Sequence, residues 1–179
     1  MKSMNIRIAR ELNKIAKELV AGENVANQEG KYKNFTGTID WEGSKGKVKN
    51  ATFELSSGIW WQNGTWEDGT WKWGVWFDGT WKKGVWKRGI WQGGTWENGT
   101  WKNGIWTEAQ PSYHSIWLNG TWENGVWHWG TWKNGTWKDG IWKEGTWENG
   151  TWKDGIWKGG KDGYRKRHGK DDSPDKWEK

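Results

Sequence analysis

The sequence predicts an all-β protein: a β-solenoid of five-residue Trp-x-x-Gly-Thr units, about three to a coil, preceded by a short N-terminal amphipathic α-helix. Three observations carry that prediction. A pentapeptide, Trp-x-x-Gly-[Thr/Val/Ile], runs from Trp61 to Trp157 with one break, and nineteen of the 24 tryptophans fall on its grid. The residue before Gly is Asn or Asp in eleven of the eighteen complete units, and the residue after it is Thr ten times and Val or Ile seven times. A second period, of fifteen, overlies the first in Val75, Ile90 and Ile105 and again in Val126, Ile141 and Ile156.

Trp and β-branched residues favour strands. Asn-Gly and Asp-Gly are tight-turn signals, because both residues tolerate positive φ. Each unit therefore reads as a three-residue strand, Thr-Trp-x, and a two-residue corner. Helix is excluded, since a Gly every five residues costs about 1 kcal/mol each there and leaves no helical stripe. A period of fifteen groups three units into one structural repeat, and a stacked three-sided coil places equivalent residues in ladders. The competing architecture, an antiparallel β-meander with a hairpin at every Asn-Gly, favours a period of ten, which is absent.

The neighbours of each Trp are most often Thr on one side and Lys, Glu or Gln on the other, and in a strand they face away from it. Little else in the array is apolar, so the indoles must supply the buried surface that offsets chain ordering. With Trp inside, Val75, Ile90, Ile105, Val126, Ile141 and Ile156 form an outward aliphatic strip suited to docking a partner. With Trp outside, the same six residues would be core.

Taken in order, residues 1–22 read as the helix. Ile8, Leu12, Ile15 and Leu19 share one face by their 4-3-4 spacing, Arg7, Arg10, Lys14 and Lys17 lie elsewhere, and Gly22 supplies a stop. The helix reads as a cap on the first coil, as an anchor into a partner assembly, or as a segment lying on an anionic membrane. Residues 23–34 are polar and read as a linker. Residues 35–59 alternate apolar and polar in two runs, as half-buried strands do, and form an irregular lead-in that ends the stacking. A first array, 60–106, and a second, 117–160, resemble a duplication, because Glu67–Gly74 matches Glu123–Gly130 at an offset of 56.

Trp73 and Trp129 stand at the corner position usually held by Asn or Asp, which makes them candidates either for stacking on a sugar or base or for covering a neighbouring turn. The insertion 107–116 stretches the Trp106–Trp117 interval to eleven residues, two units plus one, so a bulge or loop must absorb the extra residue. It carries Pro111, Tyr113 and His114, and a projecting loop is a natural place for binding. Residues 161–179 form a charged tail with the composition of a disordered segment.

The chain has no cysteine, no run of eighteen apolar residues and no secretory h-region at its start. His114, His128 and His168 are far apart, without metal-ligand spacing. The array's carboxylates recur with the repeat, as solvated surface does, and its glycines lack the context of a phosphate loop. No catalytic residue, metal or cofactor is expected. The net charge is +6, with Lys and Asp/Glu interspersed along the array. That pattern reads as a mixed-charge surface and argues against nucleic acid or a membrane as partner.

The run Gly94–Trp106 resembles the Trp-rich WxxGxW pentapeptide repeats found in proteins of tailed bacteriophages and some bacteria, and Ile8–Val20 is similar to short N-terminal segments of phage structural proteins. The repeat resemblance covers more than half the chain. It implies a virion-associated or appendage protein with protein partners in a larger assembly, and repeated units make self-association a further expectation. The chain departs from standard pentapeptide-repeat proteins, because the residue two after Thr is Lys, Glu or Gln rather than Leu or Phe, so their DNA-mimic role is not carried over. MORN repeats share the aromatic-Gly flavour, but their longer hairpin unit is absent. The expected function is thus a non-enzymatic structural repeat protein. A carbohydrate-binding or adhesive module using Trp73, Trp129, Tyr113 and His114 on a surface glycan is the alternative, and ice or mineral binding by Thr rows fits less well beside so many charges.

Overall fold

The structure, a computed structural model, describes residues 24–108 and 114–162. The expected helix with Ile8, Leu12, Ile15 and Leu19, the loop tip with Pro111 and Tyr113, and the tail from residue 163 lie outside the described residues. The described elements are all strands. β1 (Val25–Ala26), β2 (Gly30–Trp41), β3 (Ser44–Ser56) and β4 (Gly58–Trp71) lead into two- and three-residue strands running from β5 (Gly74–Trp76) to β21 (Lys161–Asp162).

From β4 onward the pairing is parallel, and each strand meets the one three units later, as in Thr65↔Thr80 with Trp66↔Trp81 and Val75↔Ile90 with Trp76↔Trp91. The architecture is therefore a parallel β-solenoid with three sides per coil. Side A carries Trp66, Trp81, Trp96, Trp117, Trp132 and Trp147; side B carries Trp71, Trp86, Trp101, Trp122, Trp137 and Trp152; side C carries Trp61, Trp76, Trp91, Trp106, Trp127, Trp142 and Trp157.

Each regular side is a two-residue strand, Thr-Trp in the common case, one residue shorter than the sequence predicts. The residue after Trp still joins the ladder: the Lys87 N–H donates to the Trp71 carbonyl at 2.8 Å. At the corners only Gly has positive φ; the Asn or Asp before it does not. Its side chain instead accepts from the following Gly, as Asn124 Oδ1 does from the Gly125 N–H at 2.6 Å and Asp139 Oδ1 from the Gly140 N–H at 2.6 Å. Asn and Asp are thus favoured as short acceptors for an otherwise orphaned donor, and the expectation of positive φ at both corner residues is corrected.

The Trp rings face inward. Eighteen of the nineteen grid indoles are buried, sixteen of them at 0% exposure. Three indoles fit one coil because they meet edge to face: Trp91–Trp96 and Trp96–Trp101 centroids are both 6.0 Å apart, at 73° and 72°. Between coils the same rings stack nearly parallel, as Trp101 does on Trp122 at 4.8 Å and 6°. Both arrangements suit the quadrupole of aromatic rings, and the stacking distance equals the spacing of paired strands. Backbone pairing and ring stacking therefore share one repeat.

The lead-in reverses direction. β2, β3 and β4 pair antiparallel, with bulges, so β3 lies on the first coil and β2 on β3. Phe53 stacks on Trp61 at 5.7 Å and Tyr32 on Phe53 at 4.9 Å, extending the side C column. The stretch 23–34, read from its polarity as a linker, contains β1 and the first five residues of β2. Its alternation is masked by the exposed Lys31 and Lys33, which flank the half-buried Tyr32 in a part of β2 that pairs with β3.

The insertion does not divide the solenoid. Trp101 pairs with Trp122, and Trp106 with Trp127, at a sequence offset of 21 instead of fifteen. Six residues are extruded at a single corner, and the Ser115 hydroxyl closes the neck by donating to the Thr107 carbonyl at 2.8 Å. The arrays 60–106 and 117–160 are one continuous stack; of the bulge or loop expected to absorb one extra residue, it is the loop that occurs, and it takes six residues out of the ladder.

Candidate functional site

Three sides of different chemistry and one corner cleft are the functional candidates. On side C the strip Val75, Ile90, Ile105, Val126, Ile141 and Ile156 pairs rung to rung without a gap across the insertion. Trp60 precedes it in register, opposite Val75, and is 40% exposed. Phe77 lies beside Trp60, with ring centroids 6.4 Å apart. The row after Trp on this side is Gln62, Phe77, Gln92 and Thr107, then His128, Lys143 and Lys158. The first four coils of side C therefore carry no charge in either outward row. Trp60 and Phe77 were legible members of this surface, since Trp60 sits fifteen before Val75, yet its place next to a grid Trp obscures it.

Side A shows alternation. Its row after Trp reads Glu67, Lys82, Glu97, Leu118, Lys133, Glu148, with ion pairs Lys82–Glu67 at 3.8 Å and Lys133–Glu148 at 2.6 Å. Side B does not alternate. Its row reads Lys72, Lys87, Lys102, Glu123, Lys138, Lys153. Glu123 bridges Lys102 at 2.9 Å and Lys138 at 3.5 Å. The hydrogen bond from Lys102, then the charge of Lys138, holds the Glu123 carboxyl below the usual glutamate range. Asp68, at the corner into side B, is likewise held low, by Lys83 at 3.1 Å. The mixed-charge surface read from the sequence thus describes side A but not side B, where like charges collect.

Of the residues expected to bind, the structure brings two together. Trp129 and His114 line one cleft of about 240 Å³ at the corner from side C to side A, with Glu108 and Glu144. Trp129 is 46% exposed. His114 Nδ1 lies 3.3 Å from Glu108 Oε1, and the Glu108 side chain is only 10% exposed. Trp73 is elsewhere, at the corner from side B to side C, half-buried with its ring over Gly58. The two corner tryptophans separate because the 56-residue offset, less the six extruded residues, is ten units, which is not a whole number of three-unit coils. Trp73 accordingly takes the covering role, and only Trp129 presents an open ring. Glu108 and Glu144 were missed as cleft residues. Glu144 was legible as the residue fifteen after Trp129, whereas Glu108 enters the cleft only through the loop.

Among the described residues no group of His, Cys, Asp and Glu could hold a metal ion, and no helix is long and apolar enough to cross a membrane. His128 on side C titrates below the ordinary histidine range, through burial and then the nearby Lys143 charge. No family model, curated protein or solved structure matches the chain.

Proposed function

We propose that the protein is a non-enzymatic structural element of a larger assembly, a phage particle in the reading favoured by its repeat resemblance, and that it docks through side C. The observation that carries this is the uncharged, unbroken strip from Trp60 to Ile105. Trp60 and Ile105 are 40% and 39% exposed on a sheet face whose neighbouring row is Gln62, Phe77, Gln92 and Thr107. A solvated face has no reason to exclude charge over four coils when the other two sides carry it on nearly every rung, and contiguous exposed apolar surface of this kind marks protein interfaces. The partner is another protein, with a second copy of the chain as the simplest case. The rigid indole core makes the stack a spacer of set length.

The test is co-sedimentation with purified particles of the source. The expected result is that the wild-type protein travels with the particle and that Ile90→Lys with Ile105→Lys frees it while Trp fluorescence stays native. Recovery of the wild type only as a free monomer, absent from particles, overturns the proposal. A second reading, carbohydrate binding in the corner cleft, is favoured by the open Trp129 ring beside the carboxylates of Glu108 and Glu144, a combination that stacks on a sugar face and accepts its hydroxyls. It requires glycan-array signals that vanish in Trp129→Ala and survive in Trp73→Ala; a silent array removes it.

A further inference from the structure

Side B carries a row of cations that the fold itself does not call for. Lys72, Lys87 and Lys102 occupy successive coils, and their backbones are tied rung to rung: the Lys87 N–H donates to the Trp71 carbonyl and the Lys102 N–H to the Trp86 carbonyl, each at 2.8 Å. Like charges on directly neighbouring strands oppose pairing. Side A, built on the same unit, avoids this by placing Lys82 between Glu67 and Glu97. Nothing in the Trp-x-x-Gly-Thr unit forces a different choice on side B, since the residue after Trp is outward on both.

The flanking groups sharpen the patch. Arg88 at the following corner adds a cation next to Lys87. Of the acids near the upper part of side B, Asp68 is paired with Lys83 and Asp40 with Lys45. Lower down, Glu123 pairs with both Lys102 and Lys138, and Asp139 and Asp154 stand at the corners beside Lys138 and Lys153. The positive strip is therefore Lys72, Lys87 and Arg88, ending on Lys102, whose charge Glu123 partly offsets. Beside it runs a row of half-exposed or exposed hydroxyls, Thr70, Thr100, Thr121, Thr136 and Thr151, interrupted by Val85.

From this we infer that side B binds a linear acidic polysaccharide lying along the solenoid axis. The rungs repeat every 4.8 Å, the centroid distance of Trp71–Trp86 and of Trp86–Trp101. A polyuronate carries one carboxylate per sugar ring, and a pyranose ring along an extended chain is close to one inter-strand spacing in length. Neighbouring rings of such a chain are turned relative to one another, so in a two-fold chain every second carboxylate faces the strip, about two rungs apart, as Lys72 and Lys102 are, and ring hydroxyls meet Lys87 and the Thr row. Nucleic acid fits less well. Single strands are held by exposed aromatic platforms, and the aromatics beside the strip, Trp73 over Gly58 and Trp41 next to Ser44, are half-buried. A straight single row of cations also touches only a short arc of a duplex backbone.

The experiment measures anisotropy of fluorescently labelled oligogalacturonate on the whole protein at low and near-physiological salt. Neutral dextran and an oligodeoxythymidylate of equal charge serve as the other two probes. Wild type should bind the uronate in preference to both. Lys87→Glu combined with Lys102→Glu should weaken it roughly tenfold or more and make the salt dependence shallower. Both side chains point outward, away from the indoles, so native Trp fluorescence is expected to persist; Lys87→Glu alone, which restores the alternation of side A between Lys72 and Lys102, should also weaken binding with the fold intact. Glu123→Gln, which adds to the positive strip without touching a lysine, should tighten binding about twofold, and Lys133→Gln on side A should leave it unchanged. Equal or tighter binding of the oligodeoxythymidylate, equal binding of dextran, or an affinity unmoved by both the double reversal and Glu123→Gln overturns the inference.

Discussion

The antiparallel lead-in and the parallel coil stack bury aromatic surface by opposite means. The lead-in uses strands of 12 and 13 residues, β2 and β3, with register shifts and a mixed core of Phe35, Ile39, Val48, Ala51, Phe53 and Leu55. The stack uses strands of two or three residues and one large core residue, whose rings meet edge to face within a coil and stack between coils. The polar accounting differs too. In the lead-in Trp41 Nε1 donates to the Ser56 carbonyl at 3.2 Å. In the stack the sixteen fully buried indoles from Trp61 to Trp142 find no acceptor for Nε1 among the described residues. The carbonyls of Gly and Trp on each side are already taken by the next coil's ladder, as Gly120 is by the Thr136 N–H at 2.9 Å and Trp122 by the Lys138 N–H at 2.8 Å. Repetition thus secures backbone pairing and ring stacking from rung to rung and leaves the indole donor unserved from Trp61 to Trp142. A sequence that varies, as in the lead-in, can serve its donors one by one.

The sharpest break in this comparison should come from truncating one ring of the stack. Trp101 stacks on Trp86 and Trp122, each at 4.8 Å, so Trp101→Ala should cost about 4 kcal/mol in urea denaturation. Trp101→Phe should cost within about 1 kcal/mol, because losing part of the ring is offset by removing a buried unpaired donor. A Phe variant as unstable as the Ala variant would show that the indole N–H is satisfied after all.

The next largest contrast concerns glycine. At Gly135, φ is +121° and a Cβ would sit 2.5 Å from the Gly120 carbonyl oxygen of the preceding coil, so Gly135→Ala should cost about 3 kcal/mol. At Gly30 in the lead-in φ is also positive, but a Cβ meets nothing within 4 Å. Gly30→Ala should therefore cost only about 1 kcal/mol, and equal losses at the two sites would deny that coil stacking sets the requirement.

Smaller effects probe the surface. Deleting residues 109–114 together with Ser115→Gly restores a standard unit at one corner. The stack on both sides keeps its register, so thermal stability should change by within about 1 kcal/mol, while sugar binding in the cleft, if measured, should disappear with His114. The smallest expected effect is electrostatic. The folded Glu123 carboxyl is lowered, first by Lys102, so its contribution is present above the ordinary glutamate range and is lost as pH falls through the lowered value. Glu123→Gln should flatten the acid limb of the stability profile by about 0.5 kcal/mol, which a pH series of melting temperatures can read.

Much of the stack was legible because its signals are local and periodic. Gly every five residues, Thr-Trp beside it, and the fifteen-residue recurrence of Val75, Ile90 and Ile105 suffice for strands, corners and three units per coil. The lead-in was legible only in part: the runs from Phe35 and Val48 read as strands, but the polar residues 30–34 did not, because their buried face is made by the β3 residues they pair with, as Phe53 does for Tyr32. Of the cleft, Trp129 and His114 were identified while Glu108 and Glu144 were not, since the corner they share is made by stacking.

By itself the sequence determined the solenoid, its three-unit coil and the inward Trp, for a period repeated nineteen times admits few ways to bury its one large apolar residue. The tertiary structure decided which side each residue joins. That assignment depends on counting units by threes after removing the residues a corner extrudes, and the chain does not state how many leave the ladder at 107–114. Only with six residues extruded do Ile105 and Val126 become neighbours, Trp73 and Trp129 fall on different corners, and lysines interspersed with acids along the chain gather into one row on side B.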